Sequence, residues 1–170
     1  MILPAISKAY PKAWAHDFLN NGKMYFTNAE IFRRDEHPDR GDPKECSDYI
    51  NQIFIWCATM ESQPSAVLKF WSDRDSVVMI KNSLRLAELI RDMVAKNKDI
   101  LTFHIGPVTY DRNLEHERDP FWGKGIFQKD YKFNGQKEFR FAIVGDFSSK
   151  EKEHMVLEIG DFRDIAKLVN

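Results

Sequence analysis

Residues 50–58 carry apolar side chains at consecutive positions, Ile53-Phe54-Ile55-Trp56-Cys57, so a strand built from them has no polar face to turn to water. Side chains of a strand alternate between the two faces of its sheet, and a strand apolar on both faces has to be covered on both. The chain must therefore fold around an interior strand with material packed on either side. At 170 residues it is long enough to build one such core. No internal repeat, low-complexity tract or Pro/Gly/Ser-rich linker divides it, so a single domain over residues 1–170 is expected.

The rest of the pattern fills in around that strand. Residues 11–21 read as a helix with proline in its first turn, Trp14 and Phe18 at i, i+4, and Gly22 placed to end it. Residues 23–27 form a strand with Met24 and Phe26 on one face and Tyr25 and Thr27 on the other. Residues 28–34 make one or two helical turns opened by Asn28, and 35–48 form a polar loop broken by two prolines and a glycine. Shorter apolar runs at 66–70 and 77–80 read as further buried strands. Residues 84–96 form the best helix, with Leu86, Leu89, Ile90, Met93 and Val94 in one stripe. Strands follow at 100–105 and 108–110 around Gly106-Pro107, then a charged and aromatic loop at 112–125, then strands at 139–144 and 155–159. A last helix starts near Asp161 with Phe162, Ile165 and Val169 facing inward. Strands outnumber helices in an irregular order, which predicts an α+β domain: a mixed or mostly antiparallel sheet with a few packed helices.

Composition narrows the function. The formal charge is −1, so no global field draws the protein to nucleic acid or anionic lipid. Two cysteines, Cys46 and Cys57, supply neither a disulfide framework nor a zinc site. No basic-then-apolar leader opens the chain, and no stretch approaches the ~20 apolar residues that span a bilayer; a cytoplasmic protein without membrane contact is expected. No P-loop, dinucleotide fingerprint, H-E-x-x-H or G-x-S-x-G occurs, which argues against kinase, ATPase, dehydrogenase, zincin and α/β-hydrolase chemistry.

The sharpest candidate is Gln136-Lys137-Glu138-Phe139-Arg140. As a strand it places Gln136, Glu138 and Arg140 on one face and Phe139, Phe141 and Ile143 on the other. Ala142 and Val144 continue the polar face, so its far end is covered too, and the three polar groups should border a concave site. The wet face of an edge strand would show the same alternation. A second candidate is the strand-to-helix junction Lys81-Asn82-Ser83, whose free N–H groups suit an anion or simply a helix cap. The loop from Arg33 to Glu45 packs His37 and Arg40 among carboxylates; it has neither calcium-loop nor zinc spacing, so no metal is assigned. Residues 122–140 interleave aromatics with Lys124, Lys129, Lys132, Lys137 and Arg140, a pattern that fits a nucleotide-stacking surface and equally half-core aromatics with lysines solvating the outside.

Several segments taken in order resemble a bacterial and phage family of unknown function. They are Ala13-Trp14-Ala15 with Phe18-Leu19, Gly22, Tyr25-Phe26-Thr27 and Phe32, then Glu36 with Arg40-Gly41-Asp42-Pro43-Lys44-Glu45, then Cys57, Trp71 and residues 78–83. Residues 105–110, Lys129, Phe133 and the late Gln136-x-Glu138-x-Arg140 element complete the likeness, which spans roughly residues 9–145. Cys46 stands where the family usually has glycine. Gln136-x-Glu138 and Ser83 also resemble, more loosely, elements of Arg-Ser-Glu ADP-ribosyltransferases; where those have an early-strand arginine this strand offers Tyr25 and Thr27, and Arg33, Arg34 or Arg40 would have to reach in.

The resemblance implies a nucleotide-acting, NAD-dependent transferase active in bacterial or phage conflict, toxin-like in action. Glu138 would be the central carboxylate, Gln136 would position ribose or acceptor, and Arg140 and Lys129 would hold phosphates. Asn82, Ser83, Tyr25, Thr27 and Arg40 would complete the NAD site. Two other readings stay open: a non-catalytic module binding a nucleotide, small molecule or protein through the same face, and a metal-dependent nuclease acting on nucleic acid through the acidic loop.

Overall fold

The computed structural model of the chain describes residues 2–34, 52–71, 73–110, 125–147 and 152–169. Their order is β1 (Ile6–Tyr10), α1 (Lys12–Asn21), β2 (Lys23–Asn28), α2 (Ala29–Arg34), β3 (Gln52–Thr59), α3 (Pro64–Lys69), β4 (Ser76–Ile80), α4 (Ser83–Val94), β5 (Ile100–Pro107), a 3-10 helix (Tyr131–Gln136), β6 (Glu138–Gly145), β7 (His154–Glu158) and β8 (Ala166–Val169). Every ladder between these strands is antiparallel. The architecture is α+β.

The eight strands form one sheet in the order β5-β6-β3-β1-β4-β8, with β2 joined to β3 and β7 joined to β2. The doubly apolar segment is β3, and it pairs with β6 along its whole length, from Gln52↔Gly145 to Thr59↔Glu138. Its other edge has two neighbours. Ser7 of β1 pairs with Thr59, while Thr27 and Asn28 of β2 pair with Ile55 and Phe54. The sheet forks along this edge, and Trp56, Cys57 and Ala58 lie between the two limbs.

Both faces are covered, as consecutive apolar residues demand. On one face Phe54, Trp56, Phe139, Phe141 and Ile143 join Phe18 of α1 and Leu86, Ala87 and Ile90 of α4 in the main core. Fully burying side chains of this size stabilises the fold by about 1.5–3 kcal/mol each. On the other face Ile53, Ile55, Ala142 and Val144 pack with Ala29 of α2 and with Ile126. Gly22 ends α1 in the left-handed region, at φ 60°, where a residue without Cβ carries no steric penalty. A Cβ there would lie 2.3 Å from the Gly160 carbonyl oxygen.

Four segments depart from the sequence reading. Residues 64–69 are a helix rather than a strand at 66–70: Pro64 sits in its first turn and Val67 is its buried residue. The helix expected from Asp161 is a turn followed by β8, in which Ala166 to Val169 pair with Ile80 to Val77. The spacing of Phe162 and Ile165 comes from that single turn, where Ile165 N–H donates to the Phe162 carbonyl. Residues 108–110 form only an isolated bridge, Thr109 to Gln128. Strand β1 has no counterpart in the sequence reading. The loops expected at 35–48 and 112–124 lie outside the described residues.

Candidate functional site

Strand β6 lies between β5 and β3 with both of its faces covered, so its polar side chains are buried. Glu138 is 5% exposed and Arg140 1%, and each needs partners inside the protein. They find them in each other and in Lys129. Lys129 Nζ donates to Glu138 Oε1 at 2.8 Å and to Gln136 Oε1 at 2.9 Å. Arg140 Nε donates to Glu138 Oε2 at 2.8 Å, and another guanidinium nitrogen lies 2.6 Å from the same oxygen. Burial by itself would raise the Glu138 pKa, but Arg140 and Lys129 outweigh it and bring the carboxyl down to about 2.

Gln136 reaches this cluster by a different route from the one alternation suggests. It closes the 3-10 helix, and Lys137 turns the chain through the left-handed region, φ 47°, before β6 begins. Thr59 Oγ1 anchors the turn by donating to the Gln136 carbonyl at 2.8 Å. The Glu138 N–H donates to the Tyr110 hydroxyl at 2.8 Å, and burial pushes the Tyr110 pKa up.

These groups border a cavity of about 400 Å³ that opens at the fork of the sheet. Strand β1 contributes Lys8, Ala9 and Tyr10; β2 contributes Tyr25 and Thr27; β3 contributes Ile55 to Ala58; β6 contributes Glu138 and Arg140. Lys129, Gln136, Phe32, Trp71, Arg74 and His154 close the wall. Trp14, 45% exposed, stacks on Tyr25 with ring centroids 5.0 Å apart, and the Arg74 guanidinium sits 5.8 Å from the Trp14 ring. Thr27 Oγ1 and His154 Nδ1 lie 3.3 Å apart beside them. Cys57 is half-buried in the wall rather than enclosed like a core residue; burial and the Glu138 charge push its thiol up to about 11 and keep it protonated.

The structure thus brings together Gln136, Glu138, Arg140, Lys129, Tyr25 and Thr27. It does not bring Asn82 or Ser83 to them. Asn82 caps α4, its side chain accepting the Arg85 N–H at 3.0 Å, and Ser83 Oγ donates to the Pro4 carbonyl at 2.5 Å. That junction is satisfied within the fold and is absent from the cavity wall. Among the described residues, the partners of this buried polar face include Lys129, Gln136 and Arg140 themselves. Arg40 lies outside the described residues.

Sequence reasoning missed Lys8, Tyr10, Arg74, Trp71 and His154 as wall residues. One signal was available for the first: in Ile6-Ser7-Lys8-Ala9-Tyr10 a lysine sits at the middle of the face that Ile6 and Tyr10 turn into the core. Among the described residues, no group of three or more His, Cys, Asp or Glu side chains is placed to hold a metal ion, and no helix is long and apolar enough to cross a membrane. Comparison with protein-family models, with curated proteins and with solved structures finds no match to the chain.

Proposed function

We propose that this chain binds a nucleotide-class ligand, with NAD as the leading candidate, in the cavity at the fork. One observation carries the reading: among the described residues the wall gathers four cationic side chains, Lys8, Arg74, Lys129 and Arg140, the last two bound to the Glu138 carboxylate, beside Trp14, Tyr25, Trp56 and Trp71. A protein of net charge −1 has gathered positive charge and aromatic rings in one concave place. Phosphate suits the first and a planar base the second.

A second reading, NAD-dependent transfer, is favoured by Gln136 and Glu138 in the same wall, the one element of the ADP-ribosyltransferase resemblance that lies there, since Ser83 does not line it. In that chemistry the glycosidic C–N bond breaks, nicotinamide leaves with the bonding pair, and water or an acceptor captures the cationic sugar. Glu138 would act by electrostatics. Glu138 is already bound by two cations, Lys129 and Arg140, which leaves it less able to stabilise a developing sugar cation. Binding is therefore the primary reading.

The test is titration of the purified full chain with NAD⁺, ADP-ribose and AMP, followed by tryptophan fluorescence. Saturable quenching is expected, with affinity falling as pH rises through about 8, because burial draws Lys8 down to about 8 and its charge is lost above that. No saturable signal at millimolar nucleotide sinks the proposal. Free nicotinamide in the same samples promotes the second reading.

A further inference from the structure

Lys8 stands on the core face of β1, between Ile6 and Tyr10. Its Nζ lies 4.6 Å from the Trp56 ring centroid and 5.6 Å from that of Tyr10. Among the described residues no carboxylate lies within ion-pair distance of it. Its hydrogen bond goes to the Cys57 carbonyl, in the stretch of β3 where neither limb of the fork supplies a ladder partner. The amine is nevertheless reachable, because it lines the cavity. A lysine enclosed by aromatic rings, near another cation and lacking an acid, is the arrangement that makes an amine nucleophilic.

We propose that Lys8 is a nucleophilic amine that captures a carbonyl compound bearing a phosphate, forming an imine inside the cavity. The Nζ lone pair adds to the carbonyl carbon. The carbonyl oxygen then departs as water with the two amine hydrogens, leaving a C=N bond and no net redox change. Arg74, Lys129 and Arg140 line the same cavity and would meet the phosphate, Arg74 being paired with Asp73 and the other two with Glu138. The groups acting on Lys8 agree with this. Burial lowers its pKa most, to about 8, with Cys57 of β3 opposing, Arg74 assisting and Glu138 of β6 opposing. A substantial neutral fraction therefore exists near neutral pH, where exposed lysines, at about 10.4, have almost none. The inference does not depend on nucleotide binding, since an imine can form in a cavity that rejects NAD.

The experiment uses pyridoxal 5′-phosphate as the probe on the full chain at pH 7.5, borohydride to trap the imine, and peptide mapping to place it. Mapping separates Lys8 from the α-amino group, which titrates nearby at about 7.7–8.0. Lys8 is expected to be labelled about tenfold or more faster than the exposed Lys137 and Lys167, given its larger neutral fraction. Inorganic pyrophosphate should slow labelling at Lys8, and pyridoxal without phosphate should label it more slowly. Labelling of Lys8 no faster than Lys137 overturns the amine assignment. Equal rates with pyridoxal and its phosphate overturn the phosphate part. Lys8→Arg should remove the adduct with the melting curve unchanged, but mapping on the unmodified protein decides the matter even if that variant does not fold.

Discussion

Glu138 holds two buried cations in place, and this makes its role in stability separable from any role in chemistry. Glu138→Gln keeps the side chain's size but removes the carboxylate to which both Lys129 and Arg140 are bound at 3% and 1% side-chain exposure. Removing one partner of a buried pair typically costs about 3–5 kcal/mol, far above the few tenths expected of a solvated strand residue. Denaturant unfolding should therefore show a loss of about 3 kcal/mol or more. The pH dependence has a definite sign: the folded pKa, about 2, lies below the ordinary 4.5, so the carboxylate's contribution is complete above about pH 4.5 and is lost as pH falls toward 2. The variant should lack that part of the acid limb. A lost activity in Glu138→Gln would thus report on folding unless the variant is first shown to be native.

At the level of elements, the close approach of Gly22 to the Gly160 backbone joins α1 to the chain after β7. Gly22→Ala places a Cβ 2.3 Å from a carbonyl oxygen at φ 60°. Left-handed backbone alone costs a non-glycine residue about 1–2 kcal/mol, and the clash adds to it, so a clearly lowered melting temperature is expected. Which elements the sequence discloses follows from the same local physics. β3 is legible as a long unbroken apolar run, β6 by its alternation of Glu138 and Arg140 with Phe139, Phe141 and Ile143, and α4 by its helical apolar stripe. α3 is six residues and β8 four, too short for a period to separate helix from strand. β1 hides because Lys8 interrupts its apolar face, and that interruption is itself part of the cavity. Lys129 was legible as a basic residue but not as a buried one: its burial depends on the fold returning residues 125–136 over β6, which no local pattern encodes.

For the whole molecule, the fork matters most. A ligand in the cavity touches β1 on one limb and β2 on the other, and those limbs meet β3 through one and two residue pairs respectively. Hydrogen exchange measured with and without nucleotide should show slower exchange in both β1 and β2 together. Protection confined to one limb would place the ligand elsewhere. The topology also bears on synthesis. β2 obtains its outer neighbour only when His154 to Glu158 arrive, and β4 only when Ala166 to Val169 do. During translation both edges stay unpaired until residues 154–169 have emerged, and unpaired edges are templates for association with other chains. A nascent chain stalled before residue 154 carries two adhesive borders at once, so the burden of keeping this protein off its neighbours on the ribosome rests on residues 154–169.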